Sequence, residues 1–311
     1  MTLTKRLLMS TTLGLIGLGS MMTAEAADWS AEVPVFRIGI LGGENEADRL
    51  KNYACWKDIV EKDLGIPVEL YPAADYAGVI QGLIAGNLEE AELGSSGYAG
   101  LYLQAPDAVE PMVTYKQVDG STGYYSVLYV KADSPYKTLE DLKGKTLAFA
   151  DPNSTSGYLV PSYELKKQGY DPEQYFSQAN FAGGHEQGVV AVLNDQYDAG
   201  VTWSSMVGEP AEGYSNGNLH KMVEKGALDM NDIRILWQSD LITNGPRVIR
   251  KSLPEDLKAT YKQMLLDLPK KDPECFFNIS GGEAMEFVPI EHDFYDKTIE
   301  MRRELSKDRR G

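Results

Sequence analysis

Thr146-Leu147-Ala148-Phe149-Ala150-Asp151-Pro152-Asn153-Ser154-Thr155-Ser156-Gly157 is the stretch on which the reading of this chain turns. An apolar run of strand length ends at Ala150, and a Pro-Asn turn leads into three consecutive hydroxyl residues at the start of a helical pattern. A strand that passes through a polar turn into a helix is the repeating unit of an α/β sheet. In open α/β sheets, ligands sit at the carboxyl ends of strands, beside helix N-termini. The first N–H groups of a helix lack intrahelical acceptors, and the helix dipole adds partial positive charge. Three hydroxyls at such a place therefore suit an anion. An N-cap by Ser154 or Thr155 is the simpler reading, but a cap needs only one such residue.

The same rhythm extends in both directions. Residues 35–41 read as a strand, Gly42-Gly43 as a turn, and Leu50, Tyr53, Trp56, Val60 and Leu64 as one face of a helix. A second strand follows at 67–71, then a helix capped by Asp75. Residues 124–130 make a long strand. Beyond the opening stretch, helices are expected near 157–168, 185–194 and 219–225, and strands near 198–203 and 233–237. A strand-like run at 241–250, a helix at 255–267 and a polar helix at 291–307 complete the order. This predicts an α/β protein of two lobes, the first from 27–132 plus 241–311 and the second from 133–240. Extended crossings near 130–134 and 238–243 would form a two-segment hinge that encloses a ligand in an interlobe cleft.

The amino end carries its own signal. Lys5 and Arg6 precede an apolar run at 7–22, and Ala24-Glu25-Ala26 offers small residues for cleavage between Ala26 and Ala27. The run is too short for a comfortable membrane span. Residues 1–26 are thus expected to be a signal peptide and the product to be exported, not inserted in a membrane. Export permits disulfides; Cys55 and Cys275 are either a bridge or two buried thiols, and sequence does not decide between them.

Composition narrows the chemistry. A formal charge of −16 argues against nucleic-acid binding, which relies on neutralising phosphates. Three His and two Cys leave little for a zinc cage, and no phosphate-cradling glycine motif is present, so no metal and no cofactor are expected. The candidate ligand residues all lie at strand-to-helix junctions. They are Ser154, Thr155 and Ser156, then Ser95 and Ser96 after Leu93-Gly94, His185 after Gly183-Gly184, and Tyr76 after Asp75. Glu44 and Glu46 read as helix-start carboxylates. Such donors bind an anion without a basic side chain when they line a closed cleft.

At this point the chain resembles a family. Residues 75–82 (Asp-Tyr-Ala-Gly-Val-Ile-Gln-Gly), 151–157 (Asp-Pro-Asn-Ser-Thr-Ser-Gly) and Gly184-His185-Glu186 occur in the order found in phosphonate-type substrate-binding proteins of bacterial ABC importers. Residues 123–127 and 130–135 also look like that family, and the likeness spans about 35 to 300. It implies a type II-like periplasmic-binding-protein fold and a periplasmic location. It also implies no enzymatic activity, an ABC permease as partner, and a phosphonate, phosphite or phosphate ligand. Ser154, Thr155, Ser156 and His185 would hold the phosphonate oxygens, with Tyr76 from the other lobe. Two departures concern the ligand's organic group. Leu93 replaces an aromatic residue common in relatives. The 241–246 stretch also lacks the acid that relatives binding aminoalkylphosphonates carry, and Trp203-Ser204-Ser205 stands where relatives can be acidic. A sulfonate or pyrimidine-precursor binding protein, or a secreted hydrolase using His185, are the alternative readings. An ammonium in a closed cleft needs a carboxylate or an aromatic face, so ligands without an amine are expected to bind at least as well.

Overall fold

A computed structural model describes residues 29–308; the expected signal peptide lies outside them. The chain begins with β1 (Phe36–Ile40), α1 (Glu46–Leu64), β2 (Val68–Pro72), α2 (Tyr76–Ile84), β3 (Glu90–Glu92), α3 (Ser95–Gln104) and β4 (Val109–Lys116). It then forms β5 (Gly123–Lys131), β6 (Thr146–Phe149), α4 (Val160–Lys167), α5 (Pro172–Tyr175), β7 (Gln178–Phe181) and α6 (His185–Leu193). Next come β8 (Ala199–Ser204), α7 (Asn218–Glu224), β9 (Ile233–Gln238) and β10 (Ile242–Thr243). It closes with β11 (Arg247–Arg250), α8 (Glu255–Lys271), α9 (Pro273–Ser280), β12 (Glu286–Pro289) and α10 (Asp296–Asp308).

Two mixed sheets result. The first runs β12-β4-β11-β3-β1-β2, with β1 parallel to β2 and β3 and the returning β11 antiparallel to β3 and β4. The second runs β10-β5-β8-β6-β7, with β9 also paired to β5. Alternation along each strand supplies an apolar core on both faces of each sheet. In β11, Val248 enters the cluster of Val79, Leu83 and Tyr98, while Ile249 enters the cluster of Phe36, Trp56 and Leu257. In β5, Leu128 and Val130 face one core and Val127 and Tyr129 the other. Helix α1 shows how local chemistry sets the bounds. The Asn45 side chain accepts the Asp48 N–H at 3.2 Å at its start, and Gly65 takes a left-handed conformation (φ 67°) at its end.

The strand order corrects the expected lobe boundary. Strand β5, expected to close the first lobe at 132, pairs antiparallel with β8 and β9 in the second sheet. The crossings therefore lie at 117–122 and 244–246, where the Asn244 N–H donates to the Thr122 carbonyl at 2.9 Å. Periodicity identified β5 as a strand, but apolar residues on both of its faces leave its sheet partner open. Helix α10, expected in the first lobe, touches both. Its Arg302 donates to Ser96 Oγ at 2.7 Å and to Asn153 Oδ1 at 2.7 Å, and Leu305 packs on the second lobe's core.

Cys55 in α1 and Cys275 in α9 are bonded, with Sγ–Sγ 2.18 Å and Cα–Cα 5.8 Å. The bridge spans 220 residues and ties the first helix to the returning segment. Replacing both cysteines with serine should leave the circular dichroism spectrum unchanged. It should cost about 2–5 kcal/mol of stability in denaturant titration, because a cross-link over so long a loop restricts the unfolded chain strongly. An unchanged unfolding midpoint would contradict this role.

Candidate functional site

The opening stretch folds into an unusual turn. Ser154 caps it, its Oγ accepting the Gly157 N–H at 3.0 Å, and residues Thr155–Leu159 form a π-helical turn that runs into α4. The Leu159 N–H reaches back to the Ser154 carbonyl at 3.1 Å. Such single wide turns occur mostly within helices and often at functional sites. Gly157 lets the turn close on its neighbours. A Cβ there would lie 2.5 Å from the Ala150 side chain and 2.9 Å from His185.

His185 begins α6 and is buried beside this turn. Its Nε2 lies 3.1 Å from Ser154 Oγ and its Nδ1 3.2 Å from Thr202 Oγ1 on β8. Burial pushes the imidazole pKa down to about 4; the Lys221 charge adds to this and the Glu44 charge opposes it. His185 is therefore neutral at pH 7, with one ring nitrogen donating and the other accepting. A hydrolytic Ser154–His185 pair would need a carboxylate on Nδ1; a threonine hydroxyl stands there instead.

Two phenols complete the donor set. Tyr76 begins α2 in the first lobe and interacts with the Ser154 hydroxyl. Tyr124 on β5 interacts with the hydroxyls of Ser156 and Thr155. Burial raises the pKa of both, which keeps them protonated and able to donate. Both line a cavity of about 150 Å³ between the lobes, together with Ser154, Thr155, Ser156 and His185. Trp203 also lines it, packed edge-on against Tyr124 with centroids 5.6 Å apart.

Ser95 and Ser96 take a different position. Both are fully buried and neither is among the residues lining the cavity. The Ser96 N–H donates to Thr155 Oγ1 at 2.9 Å, and Ser95 Oγ lies 3.3 Å from the same atom. They fasten α3 of the first lobe to the turn of the second. Other interlobe contacts reinforce this seam. The Asp151 carboxylate accepts from the Tyr76 N–H at 3.4 Å, and Lys225 pairs with both Asp48 and Glu186. Gly43 and Gly184 meet backbone to backbone, and a Cβ on Gly184 would fall 2.3 Å from the Gly43 Cα.

The rest of the cavity wall is charged and polar. Glu44 of the first lobe and Lys221 of α7 pair across the cleft. Burial pushes the Glu44 pKa up, but the Lys221 charge and hydrogen bond outweigh it and hold the carboxyl below its ordinary range. Glu46 is exposed in the first turn of α1, as a helix-start carboxylate. Glu92 accepts hydroxyl hydrogen bonds from Tyr115 at 2.6 Å and Tyr53 at 3.3 Å. Sequence reasoning missed Tyr124, Lys221 and Glu92 as cavity residues. None of the three carries a local mark of a cavity position in the sequence. No cluster of His, Cys, Asp and Glu suited to a metal ion is found among the described residues.

The buried, neutral His185 has a consequence for stability. Its folded pKa lies below the ordinary value of 6.5, so the unfolded chain binds more protons between about pH 6.5 and pH 4. Stability should fall on acidification through that window. His185→Gln should remove up to about 3 kcal/mol of that fall. Thermal melts of both proteins from pH 7 to pH 4 would show it, and parallel curves would contradict it.

Known proteins share this sequence and fold. The family model described as "ABC transporter, phosphonate, periplasmic substrate-binding protein" matches residues 38–295. The phosphonates-binding periplasmic protein of Escherichia coli K12 is 32% identical over 243 residues, 76% of this chain and 67% of its own length. The phosphate-import protein PhnD of Mycolicibacterium smegmatis is 32% identical over 230 residues, 69% of this chain and 68% of its own. The crystal structure of a binding-protein component of an ABC phosphonate transporter from Pseudomonas aeruginosa superposes with a TM-score of 0.75 at 25% identity. It covers 89% of this chain and 87% of its own. The two sheets, the interlobe cavity and these matches together show that the chain belongs to the family of periplasmic substrate-binding proteins of phosphonate ABC transporters, which are binding components and not enzymes.

Proposed function

We propose that this protein receives a phosphorus oxyanion (a phosphonate, phosphite or phosphate) in the cleft between its lobes and delivers it to the transmembrane subunits of an ABC importer. In this reading the signal is cleaved near Ala26, and the chain works in the periplasm. The observation that carries the reading is the convergence of hydroxyl donors on the Thr155–Leu159 turn. Ser154, Thr155, Ser156, Tyr76, Tyr124 and His185 come from both lobes to one cavity. A helix start surrounded by neutral donors stabilises an anion by oriented dipoles, which suits a protein whose own charge is −16. The relatives named for phosphonates and for phosphate share the same phosphorus oxyanion group. The crossings at 117–122 and 244–246 act as the hinge, and ligand draws the lobes together.

Calorimetric titration of the purified mature protein with methylphosphonate, phosphite, phosphate and methanesulfonate tests this. Binding of at least one phosphorus compound is expected, with compaction in solution scattering. Ser156→Ala and Tyr124→Phe should each weaken that binding by about 1.5–3 kcal/mol, the worth of a hydrogen bond to a charged group. Binding of methanesulfonate alone would move the protein to the sulfonate class.

A further inference from the structure

Lys221 stands in the cavity wall opposite the question that the sequence leaves open, the ligand's organic group. Its Nζ lies 3.0 Å and 3.1 Å from the two carboxylate oxygens of Glu44 and 5.3 Å from the centre of the Trp203 ring. All three residues line the cavity. The lysine stem lies over Gly281, whose missing side chain makes room for it; a Cβ there would fall 2.3 Å from the Lys221 Cε. A carboxylate and an aromatic face are what an ammonium ion needs on leaving water. Here both are already occupied by an ammonium that belongs to the protein. The other carboxylate in the wall, Glu92, accepts from the Tyr115 and Tyr53 hydroxyls and faces the Arg247 guanidinium at 3.8 Å.

We propose that Lys221 is the selectivity residue of this cleft. Its ammonium fills the cation position formed by Glu44 and Trp203, so the protein takes phosphorus oxyanions whose organic group carries no positive charge. The inference rests on the functional reading above and deepens it. A ligand amine would have to displace Lys221 or stay buried beside it without a partner, and both arrangements are unfavourable. Removing the lysine side chain's charge leaves the Glu44 carboxylate and the Trp203 face for a ligand amine. A lysine that served only to latch the lobes would instead affect all ligands alike.

The test compares propylphosphonate with 2-aminoethylphosphonate, which are close in shape and differ by the amine. Dissociation constants are measured for the parent, Lys221→Met, Lys221→Arg and Glu92→Gln, with melting curves to confirm that each folds. The parent should favour propylphosphonate. Lys221→Met should move the ratio of the two constants toward the amine by about tenfold or more, the scale of one charge-assisted hydrogen bond. Lys221→Arg, which keeps a cation in place, and Glu92→Gln should retain the parent's order. An equal weakening of both ligands by Lys221→Met would make the residue a latch and overturn the inference. So would a parent preference for the amine that Glu92→Gln abolishes. Failure of the parent to bind any phosphorus compound would overturn the functional reading and this inference with it, whereas an unmoved ratio overturns the inference alone.

Discussion

The Arg247–Glu90 ion pair is the constraint beneath the cleft. Both side chains are fully buried, and the guanidinium meets the carboxylate through two bonds, Nε to Oε1 at 2.9 Å and Nη2 to Oε2 at 3.0 Å. The pair joins β11 to β3, where the returning chain re-enters the first sheet. Tyr261 donates to the same carboxylate at 2.9 Å and accepts from the Trp56 indole at 3.0 Å, which links the pair to the core around α1 and α8. Such a pair gains little over a well-packed apolar core, yet losing one partner costs about 3–5 kcal/mol because the other charge stays buried. Its geometry therefore holds the register of β11. The second crossing ends on that strand, so the hinge starts from a rigid point. Tyr53, Tyr115 and Glu92 then carry the polar network from this floor to the cavity wall.

On that base the two lobes meet through a seam that combines neutral donors around the Ser154 turn with the Glu44–Lys221 and Asp48–Lys225 ion pairs. Thr155 is held by the Ser96 N–H, and the Ser154 hydroxyl by Gly157 and His185. The neutral imidazole of His185 adds no charge of its own beside the Ser154 turn. Attraction for an anion then comes from dipoles that are already oriented when the cleft is shut, and they need no reorganisation on binding. Under the proposed function, the same arrangement lets an acidic protein receive an anion. Acidic side chains on the exposed surface are screened by water and salt, and the buried Glu90 is paired with Arg247. The cavity's two carboxylates each have partners supplied by the chain.

What the sequence discloses follows from the range of each interaction. The hydroxyl run at 154–156, His185 and Tyr76 are legible because strand–turn–helix junctions are local patterns, and the α/β class follows from the same periodicity. Ser95 and Ser96 share the pattern but serve the seam, since which junction faces the cavity depends on how two lobes meet. Tyr124, Glu92 and Lys221 reach the cavity from a strand interior, a short strand end and a helix body, where no local signature distinguishes them from ordinary positions. The sheet membership of β5 depends on pairing with β8, which follows almost 70 residues later in the chain. The partnership of Cys55 with Cys275 likewise depends on α9 packing on α1, a contact that no spacing rule anticipates.

The meeting of Gly43 with Gly184 has a wider consequence. Main chain rests on main chain there, so the spacing of the two lobes at this point is set by backbone rather than by side chains. Under the proposed function, a replacement at Trp203 would alter what is admitted without touching this backbone contact. An importer that senses only the shut outline would accept any variant of this binder that still reaches the glycine stop. Under the proposed function, diet and docking are in that sense separately heritable traits of one molecule, and a lineage could change what the cleft accepts without re-fitting the partner that reads its outline.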